Sequence, residues 1–431
     1  MNCNRFFFCD KRRVFYLLAF IWLFTYIQSD LLLAFAGDKN ISEYIINENV
    51  IQEMDTEEIG DENIVIETSS LSEEILSKSC VLMEATTGKV LFEKDMNALL
   101  SPASITKIMT LVLIFEAIES GEISYSDEVI TSAYAKSMGG SQVFLEEGEK
   151  QSVETLIKCI VVASGNDASV AMAEYVEGSE EKFVERMNEK AKELGMLNTH
   201  FEDCCGLSDS DNHYTSAYDV AIMSRYLITN YPEVYKYSSI WMENITHITD
   251  KGQSEFGLSN TNKLLKQYQY TTGLKTGSTS KAKYCVAATA KKGDVELIAV
   301  IMAAPDYKIR FKEAKGLLEY GFGVCKLYRD TNLDIKEYMA VKGGKREQIK
   351  VMGEKVFTYV STEEEDFSNI KKDIIYHKKN VAPIKKGDVV GEIIYYIDDK
   401  EIGQVDIISC DNVQKANYVY RLKQLFYKFI L

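Results

Sequence analysis

The sequence predicts an α/β domain of about 250 residues followed by a small all-β domain. Two observations predict this class. Strand-like segments stand at both ends of residues 78–332, with helical periodicity between them. From residue 333 the pattern changes to short alternating strands at a spacing of roughly 10 residues. A chain of 431 residues is long enough for both cores.

The first 36 residues have the pattern of a secretory signal. Arg5 and 11–13 supply positive charge, 14–27 is apolar, and the small residues of 34–36 precede a cleavage position. The alternative is a membrane anchor, but an apolar run of about 14 residues is short for a span of roughly 20. We therefore expect an exported protein that works at the outer face of the cytoplasmic membrane or in the cell wall.

Residues 37–77 form an acidic segment. From 37 to 78 there are twelve acidic side chains against Lys39 and Lys78, which accounts for most of the net charge of −16. Low hydrophobicity and charge of one sign predict a disordered spacer. The chain lacks the clustered Lys and Arg of nucleic-acid binding proteins, so we expect no nucleic-acid partner.

The nine cysteines do not indicate a disulfide framework. Two of them leave with the signal, and the remaining seven are an odd number without a CxxC pair. Free thiols in apolar segments are the expected state. A vicinal disulfide between Cys204 and Cys205 remains an alternative. The sequence predicts no metal site and no cofactor.

The elements of the first domain follow in chain order. Two strands surround a tight turn at Thr87-Gly88, and an apolar helix buried on nearly every face begins after Pro102. The predicted strands and helices are strands 80–85 and 89–93, helix 103–118, helical periodicity over 152–176, 180–195 and 215–229, strands 284–290 and 297–302, and helix 308–320.

The second domain and the tail complete the chain. The predicted strands of 333–415 are 338–341, 348–351, 355–360, 389–396 and 404–408. In 416–431, Arg421, Lys423 and Lys428 alternate with aromatic and aliphatic residues. A helix with this pattern favours interfacial membrane binding. Docking of the helix on the β domain is the alternative.

The first chemical motif is Ser104-Ile-Thr-Lys107. Residues i and i+3 of a helix share a face, so a lysine amine lies one turn from the serine hydroxyl. Burial disfavours the ammonium form, which lets the amine act as a general base. The spacing alone is weak, because Ser-x-x-Lys occurs five times. The matches begin at Ser104, Ser179, Ser278, Ser280 and Ser368.

Two further strings follow in order. Ser164-Gly-Asn166 lies at a turn between helices, where Ser164 could relay a proton and Asn166 could hold an amide; a capping turn is the plain alternative. Lys275-Thr-Gly277 is predicted to precede a strand, where Lys275 could pair with a carboxylate, Thr276 adds a hydroxyl, and Gly277 permits close approach of a ligand. A surface lysine is the alternative there. The three strings together favour acyl transfer.

The chain resembles the penicillin-binding proteins and serine β-lactamases, which carry these three motifs. Longer strings resemble one branch, the low-molecular-mass D-alanyl-D-alanine carboxypeptidases of peptidase family S11. The similarity extends over about 78–415. The strings are TGKVLFEK at 87–94, PASITKIMT at 102–110, ASGNDA at 163–168, HYTSAYD at 213–219 and GLKTGST at 273–279.

The resemblance implies an antiparallel sheet packed with helices, an additional all-helical region, and an activity. Ser104 would attack the penultimate D-Ala carbonyl of a peptidoglycan stem peptide, with Lys107 as base and Ser164 in proton relay. Asn166 would bind the substrate amide. Lys275, with Thr276, Gly277 and Arg310, would receive the terminal carboxylate. β-Lactams would acylate Ser104 as substrate mimics.

Two alternatives differ in class. A β-lactamase would carry Ser-Asp-Asn and a suitably spaced glutamate, whereas this chain has Ser-Gly-Asn. A non-catalytic cell-wall binding protein would not need the intact Ser104, Lys107 and Lys275. Where the family often has Pro-His, this chain has Cys204-Cys205 before Gly-Leu, so the loop at the cleft departs from the family pattern.

Overall fold

The computed structural model describes residues 75–249, 252–377 and 380–430. The predicted signal segment 1–36 and the acidic spacer before residue 75 lie outside the described residues. The end of the spacer is packed rather than free: the Leu76 backbone N–H donates to the Glu313 carboxylate at 2.6 Å, and Ser77 is fully buried beside it. The folded domain therefore begins a few residues earlier than predicted.

The helix that carries the first motif starts in two steps. A 3-10 turn, Ala103–Thr106, precedes the α-helix, whereas the sequence predicted one helix from residue 103. Ala103 has φ +46°, which is outside the α region and prevents a regular start. The helices are α1 Lys107–Glu119, α2 Ala133–Lys136, α3 Val153–Val162, α4 Asn166–Glu177, α5 Glu180–Glu193, α6 Ala217–Asn230, α7 Val234–Ser238, α8 Leu264–Gln267 and α9 Tyr307–Val324.

A five-stranded antiparallel sheet organises the first domain, in the order β2-β1-β9-β8-β7. This confirms the predicted class. Two further antiparallel pairs, β3–β4 and β5–β6, were not predicted, because their mostly polar strands lack an apolar run. The strands are β1 Ser79–Glu84, β2 Val90–Lys94, β3 Glu128–Ile130, β4 Lys150–Ser152, β5 Met242–Thr249, β6 Gly252–Ser259, β7 Thr271–Thr279, β8 Lys283–Lys292 and β9 Val295–Ala304.

Both faces of the sheet are covered. Along β9, Leu297 and Ile301 pack with α9, while Ile298 and Val300 pack into the larger core that contains α1. Successive strand residues point to opposite faces, so one apolar strand serves two cores. The sheet thus fixes α1 on one side and α9 on the other.

The second domain is built of antiparallel strands around a smaller core. Its four-stranded sheet has the order β13-β17-β16-β15, and the helix α10 follows it. Strand β10 pairs with β14, so strand pairing in this domain starts before the predicted boundary at 333. The elements are β10 Lys326–Asp330, β11 Met339–Ala340, β12 Gln348–Ile349, β13 Val351–Gly353, β14 Phe357–Ser361, a 3-10 turn Phe367–Asn369, β15 Lys371–Tyr376, β16 Val389–Ile397, β17 Lys400–Ser409 and α10 Tyr418–Ile430.

No helix among residues 75–249, 252–377 and 380–430 is both long and apolar enough to span a bilayer. The tail predicted as an amphipathic helix is helical as α10. Its described apolar side chains are exposed, and they include Leu422, Leu425 and Phe426.

Candidate active site

Ser104 lies in the 3-10 turn before α1 and is half-buried at the edge of the sheet. The Nζ atom of Lys107, one turn later, lies 3.1 Å from the Ser104 Oγ. Strand β7 passes very close to this turn. A Cβ atom on Gly277 would lie 3.0 Å from the Ser104 backbone nitrogen and 2.8 Å from the Pro102 carbonyl oxygen. Only glycine lets the strand approach the serine backbone so closely.

Lys107 is fully buried, and its amine has three polar neighbours. Nζ lies 2.6 Å from the Asn166 Oδ1, 2.7 Å from the Cys205 carbonyl oxygen and 3.1 Å from the Ser104 Oγ. Burial lowers the pKa of this lysine below its ordinary value. A neutral amine has two N–H donors and one lone pair. It can therefore donate to both carbonyl oxygens and accept the proton of the serine hydroxyl.

The Ser164-Gly-Asn166 string forms the sharp turn between α3 and α4 that the sequence predicted. Ser164 adopts φ +61°, the left-handed region, and the turn divides the helical periodicity of 152–176 into two helices. The Ser164 Oγ accepts a hydrogen bond from the Lys275 Nζ at 2.8 Å. The Asn166 Nδ2 donates to the Gly139 carbonyl oxygen at 2.7 Å. The amide is thus oriented with its oxygen toward Lys107.

The sequence predicted that Lys275 precedes a strand, and this is wrong. Lys275 lies in the middle of β7. The glycines and hydroxyl residues of 271–279 weaken the strand pattern, which explains the error. The amine of Lys275 is fully buried, and it donates to the Ser164 Oγ and to the Thr276 carbonyl oxygen at 2.9 Å. Burial lowers the pKa of Lys275 well below its usual range, and the charge of Lys107 in its protonated form and that of Arg310 lower it further.

Arg310 reaches the same strand from α9. Its Nη1 donates to the carbonyl oxygens of Gly277 at 3.1 Å and Cys285 at 3.2 Å. The Nε atom is buried and has no hydrogen-bond partner among the described residues. The guanidinium therefore keeps donor capacity next to the strand that carries Thr276.

The structure brings all eight predicted site residues into one cleft. Hydrogen bonds join Ser104, Lys107 and Asn166 in one group and Ser164 and Lys275 in a second, and Gly277 brings the strand of Lys275 against the Ser104 turn. Other Ser-x-x-Lys matches have different surroundings. Ser179 caps α5 with its side chain, and Ser368 is exposed in the second domain.

A loop at 203–212, here called the cleft loop, was not assigned a role from sequence. Its Cys205 carbonyl contacts Lys107, and a Cβ on Gly206 would lie 1.8 Å from the Ala103 carbonyl oxygen. The Asp203 carboxylate accepts backbone hydrogen bonds from Cys205 at 2.8 Å and Ser208 at 2.6 Å, and also from Gly206. Backbone contacts leave no side-chain signature, so only the positive φ of a glycine could have been suspected.

The cysteines within the described residues are free thiols, including Cys204 and Cys205. Burial raises the pKa of the Cys204 thiol well above its usual value. The vicinal disulfide considered above is not formed. The contribution of Cys205 to the site comes from its backbone.

A second missed residue is Asp167, which follows Asn166. Its buried carboxylate accepts backbone hydrogen bonds from Val143 at 3.1 Å and Leu145 at 3.1 Å. These bonds tie the 143–145 segment to the start of α4, beside the cleft. An acidic residue in the first turn of a helix was the available signal.

Comparison with known proteins agrees with this geometry. Residues 66–306 match the family model of the D-alanyl-D-alanine carboxypeptidases, peptidase S11, and residues 329–415 match the C-terminal domain of penicillin-binding protein 5. The chain is 42% identical to D-alanyl-D-alanine carboxypeptidase DacF of Bacillus subtilis over 360 residues, covering 83% of this chain and 90% of that one.

Two further similarities cover most of the chain. Identity to D-alanyl-D-alanine carboxypeptidase DacD of Escherichia coli is 35% over 369 residues, or 82% of this chain and 91% of the relative. The crystal structure of penicillin-binding protein 5 from Haemophilus influenzae superposes with a TM-score of 0.67 at 31% identity. It covers 79% of this chain and 98% of that one.

Proposed function

The chain belongs to the D-alanyl-D-alanine carboxypeptidase family S11, a family of serine hydrolases that act on cell-wall peptidoglycan, and we propose that Ser104 is its nucleophile. The substrate is the D-Ala-D-Ala end of a stem peptide. The contact of Ser104 with a buried lysine amine carries the assignment, since the other Ser-x-x-Lys matches lack this setting.

Acylation begins with proton transfer from the Ser104 hydroxyl to the neutral amine of Lys107. The serine oxygen attacks the penultimate carbonyl carbon, and backbone N–H groups of Ser104 and of β7 stabilise the oxyanion. Ser164 donates its hydroxyl proton to the nitrogen of the departing D-alanine as the C–N bond breaks, and the proton that Lys107 took from Ser104 replaces it on Ser164. Asn166 binds the backbone amide of the remaining peptide. Water then hydrolyses the ester and releases the shortened stem.

The terminal carboxylate binds at the cationic end of the cleft. Lys275 lies beside Ser164, and the hydroxyl of Thr276 is close by on the same strand. Burial disfavours the charged form of Lys275, and an anionic carboxylate beside it favours that form. Arg310 adds a second positive charge at the level of Gly277. The carboxylate of a β-lactam uses the same groups, so penicillins acylate Ser104.

The test compares serine variants. Ser104→Ala should release no D-alanine from a diacetyl-Lys-D-Ala-D-Ala peptide and should gain no mass with benzylpenicillin, because the attacking oxygen is absent. Ser368→Ala is the matched control, since Ser368 has the same Ser-x-x-Lys spacing but is exposed. It should behave as wild type. Release of D-alanine by Ser104→Ala at the wild-type rate would exclude the mechanism.

We propose further that residues 1–36 direct export and that α10 holds the enzyme at the outer face of the cytoplasmic membrane. Tyr420 of α10 donates its hydroxyl to the Lys345 carbonyl oxygen at 2.8 Å, so one side of the helix meets the second domain. Val419, Leu422 and Phe426 are exposed on another side. An exposed apolar face beside cationic residues suits an anionic lipid surface.

Vesicle sedimentation tests the membrane contact. Wild-type protein should sediment with vesicles of phosphatidylglycerol and phosphatidylcholine, and the Leu422→Asn, Phe426→Asn double variant should remain in the supernatant. Gln424→Ala is the control, because Gln424 contacts Tyr420 rather than presenting apolar surface. Equal sedimentation of the double variant and wild type would exclude this face as the anchor.

A further inference from the structure

Lys281 joins the two walls of the cleft at one end. It lies in the turn between β7 and β8, and its Nζ donates to three oxygens of the cleft loop. The acceptors are the Asp209 carbonyl at 2.9 Å, the Ser210 carbonyl at 2.8 Å and the Asp211 Oδ1 at 2.7 Å. We call this set of contacts the lysine clasp. In the sequence, Lys281 stands out only as the last residue of the incidental Ser-x-x-Lys match that begins at Ser278.

The turn that carries Lys281 is firmly built. The Ala282 backbone N–H donates to the Thr279 Oγ1 at 3.0 Å, and the side chain of Ala282 is buried. Lys283 adopts φ +57°, which closes the turn into β8. Lys281 therefore contacts the cleft loop from a fixed turn.

The two ends of the cleft loop are held differently. Near Lys107, the loop is held by the Asp203 carboxylate and by the packing of Gly206 on Ala103. Farther along, Lys281 supplies the contacts to the first domain's sheet. Hydrogen bonds within the loop also order its distal part, from the Ser210 N–H to the Ser208 Oγ at 3.2 Å and from the Asn212 N–H to the Ser210 Oγ at 3.1 Å. The clasp adds the contact of this part with the turn after β7, and the Lys107 contact depends on Asp203 and Gly206.

The polarity of the bound peptide follows from the proposed function, on which this inference rests. The terminal carboxylate lies at Lys275 and Thr276, and the reacting carbonyl lies at Ser104 beside Gly277. Along β7 these positions run from 275 to 277. The stem residues on the acyl side must then continue toward Thr279 and Lys281, and pass between β7 and the cleft loop.

We propose that Lys281 is a positioning residue that forms the cleft wall for the stem-peptide residues preceding the penultimate D-alanine. By holding the Asp209 and Ser210 carbonyls, it presents a preformed surface to the longer substrate. Preorganisation lowers the cost of ordering a loop on binding. Substrates without an acyl-side extension do not reach this wall.

The three acceptors of the Lys281 amine differ in how much they contribute. Asp211 is fully exposed, whereas the side chain of Lys281 is 34% exposed. Exposed ion pairs contribute little, so the two backbone carbonyls are the important acceptors. Loss of the Asp211 carboxylate should matter less than loss of the Lys281 amine.

The experiment measures steady-state D-alanine release with two substrates, the pentapeptide L-Ala-γ-D-Glu-L-Lys-D-Ala-D-Ala and N-acetyl-D-Ala-D-Ala. Acylation by 6-aminopenicillanic acid, which has no acyl side chain, is followed in parallel. Lys281→Met should raise KM for the pentapeptide roughly three- to tenfold with kcat within about twofold. The short peptide and 6-aminopenicillanic acid should react as with wild type.

Three controls accompany this variant. Lys281→Arg should restore the pentapeptide KM, because a guanidinium can donate to the same carbonyls. Asp211→Asn should leave it nearly unchanged. Lys350→Met removes a lysine that pairs with Asp334 at 3.2 Å in the second domain, and should have no effect.

Each contrary outcome has a distinct meaning. An unchanged pentapeptide KM in Lys281→Met would overturn the proposal. An equal loss with all three reactants would also overturn it, since Lys281 would then act through the loop on Lys107. Wild-type protein that neither releases D-alanine nor is acylated would contradict the proposed function itself, and this inference with it.

Discussion

Gly206 holds the cleft loop against the nucleophile turn, and its replacement tests whether that contact supports catalysis. In Gly206→Ala, the new Cβ would lie 1.8 Å from the Ala103 carbonyl oxygen, whereas ordinary contact begins at 3.4 Å. The loop must withdraw by the difference, about 1.6 Å. The Cys205 carbonyl, now 2.7 Å from the Lys107 amine, would leave hydrogen-bond range.

The expected loss follows from that displacement. A misplacement of about 1 Å at a reacting group costs on the order of a hundredfold in rate. We therefore expect acylation by a fluorescent penicillin to slow by roughly a hundredfold. The left-handed conformation at φ +79° adds a destabilisation of about 1–2 kcal/mol for any L-residue.

Gly121→Ala is the matched control. Gly121 has the same φ of +79°, but nothing lies within 4 Å of the position that a Cβ would occupy there. It should lose a similar amount of stability for backbone reasons and keep the wild-type acylation rate. Both variants are assayed at a temperature at which circular dichroism shows them folded. Folded Gly206→Ala that is acylated within about threefold of the wild-type rate would refute the reasoning.

Three other predictions concern the cleft loop and Lys107, which the loop contacts. Because burial lowers the pKa of Lys107, acylation should persist below the pH at which an exposed lysine amine is protonated, and its rate should fall as pH drops through the lowered pKa. Stopped-flow measurement of acylation between pH 5 and 10 tests this. A rate independent of pH would contradict it. Cys205→Ala should retain the wild-type acylation rate, because its contact to Lys107 is a backbone carbonyl; a tenfold loss would assign the thiol a role. Burial alone would raise the pKa of the Asp203 carboxyl, but His213 and backbone N–H groups outweigh burial, and the pKa is lowered. The ionised carboxylate therefore stabilises the fold above the unfolded-state pKa, and this contribution is lost as pH falls through the lowered pKa. Asp203→Asn should remove about 1–3 kcal/mol at pH 7 and flatten the fall in thermal stability below about pH 4; an unchanged acid limb would contradict this.

Much of the fold was predictable because its signals are local. The apolar helix behind Ser104, the buried strands around 284–302 and the final helix of the first domain all appear where apolar patterns predicted them. Strand β7 was not recognised as the strand that carries Lys275. Its glycines are required for close approach to the Ser104 turn, and they also erase the apolar alternation that marks a strand.

The site was predictable to the extent that it consists of side chains. Ser104, Lys107 and Lys275 could be identified because their chemistry is in the side chain. The Cys205 carbonyl and the backbone acceptor role of Asp203 could not, because long-range backbone contacts depend on how the loop returns to α1. The Lys281 contacts share this origin, since two of the three acceptors are carbonyl oxygens.

The two buried amines of the cleft have a consequence for how the protein's stability relates to its activity. Burial lowers the pKa of both Lys107 and Lys275, so each amine is harder to protonate in the folded protein than in the unfolded chain, and holding either positive charge costs folding free energy. Replacing Lys275 by methionine removes a disfavoured buried charge while keeping most of the side-chain volume. Such a variant should have a higher thermal stability and a lower turnover rate than the wild type.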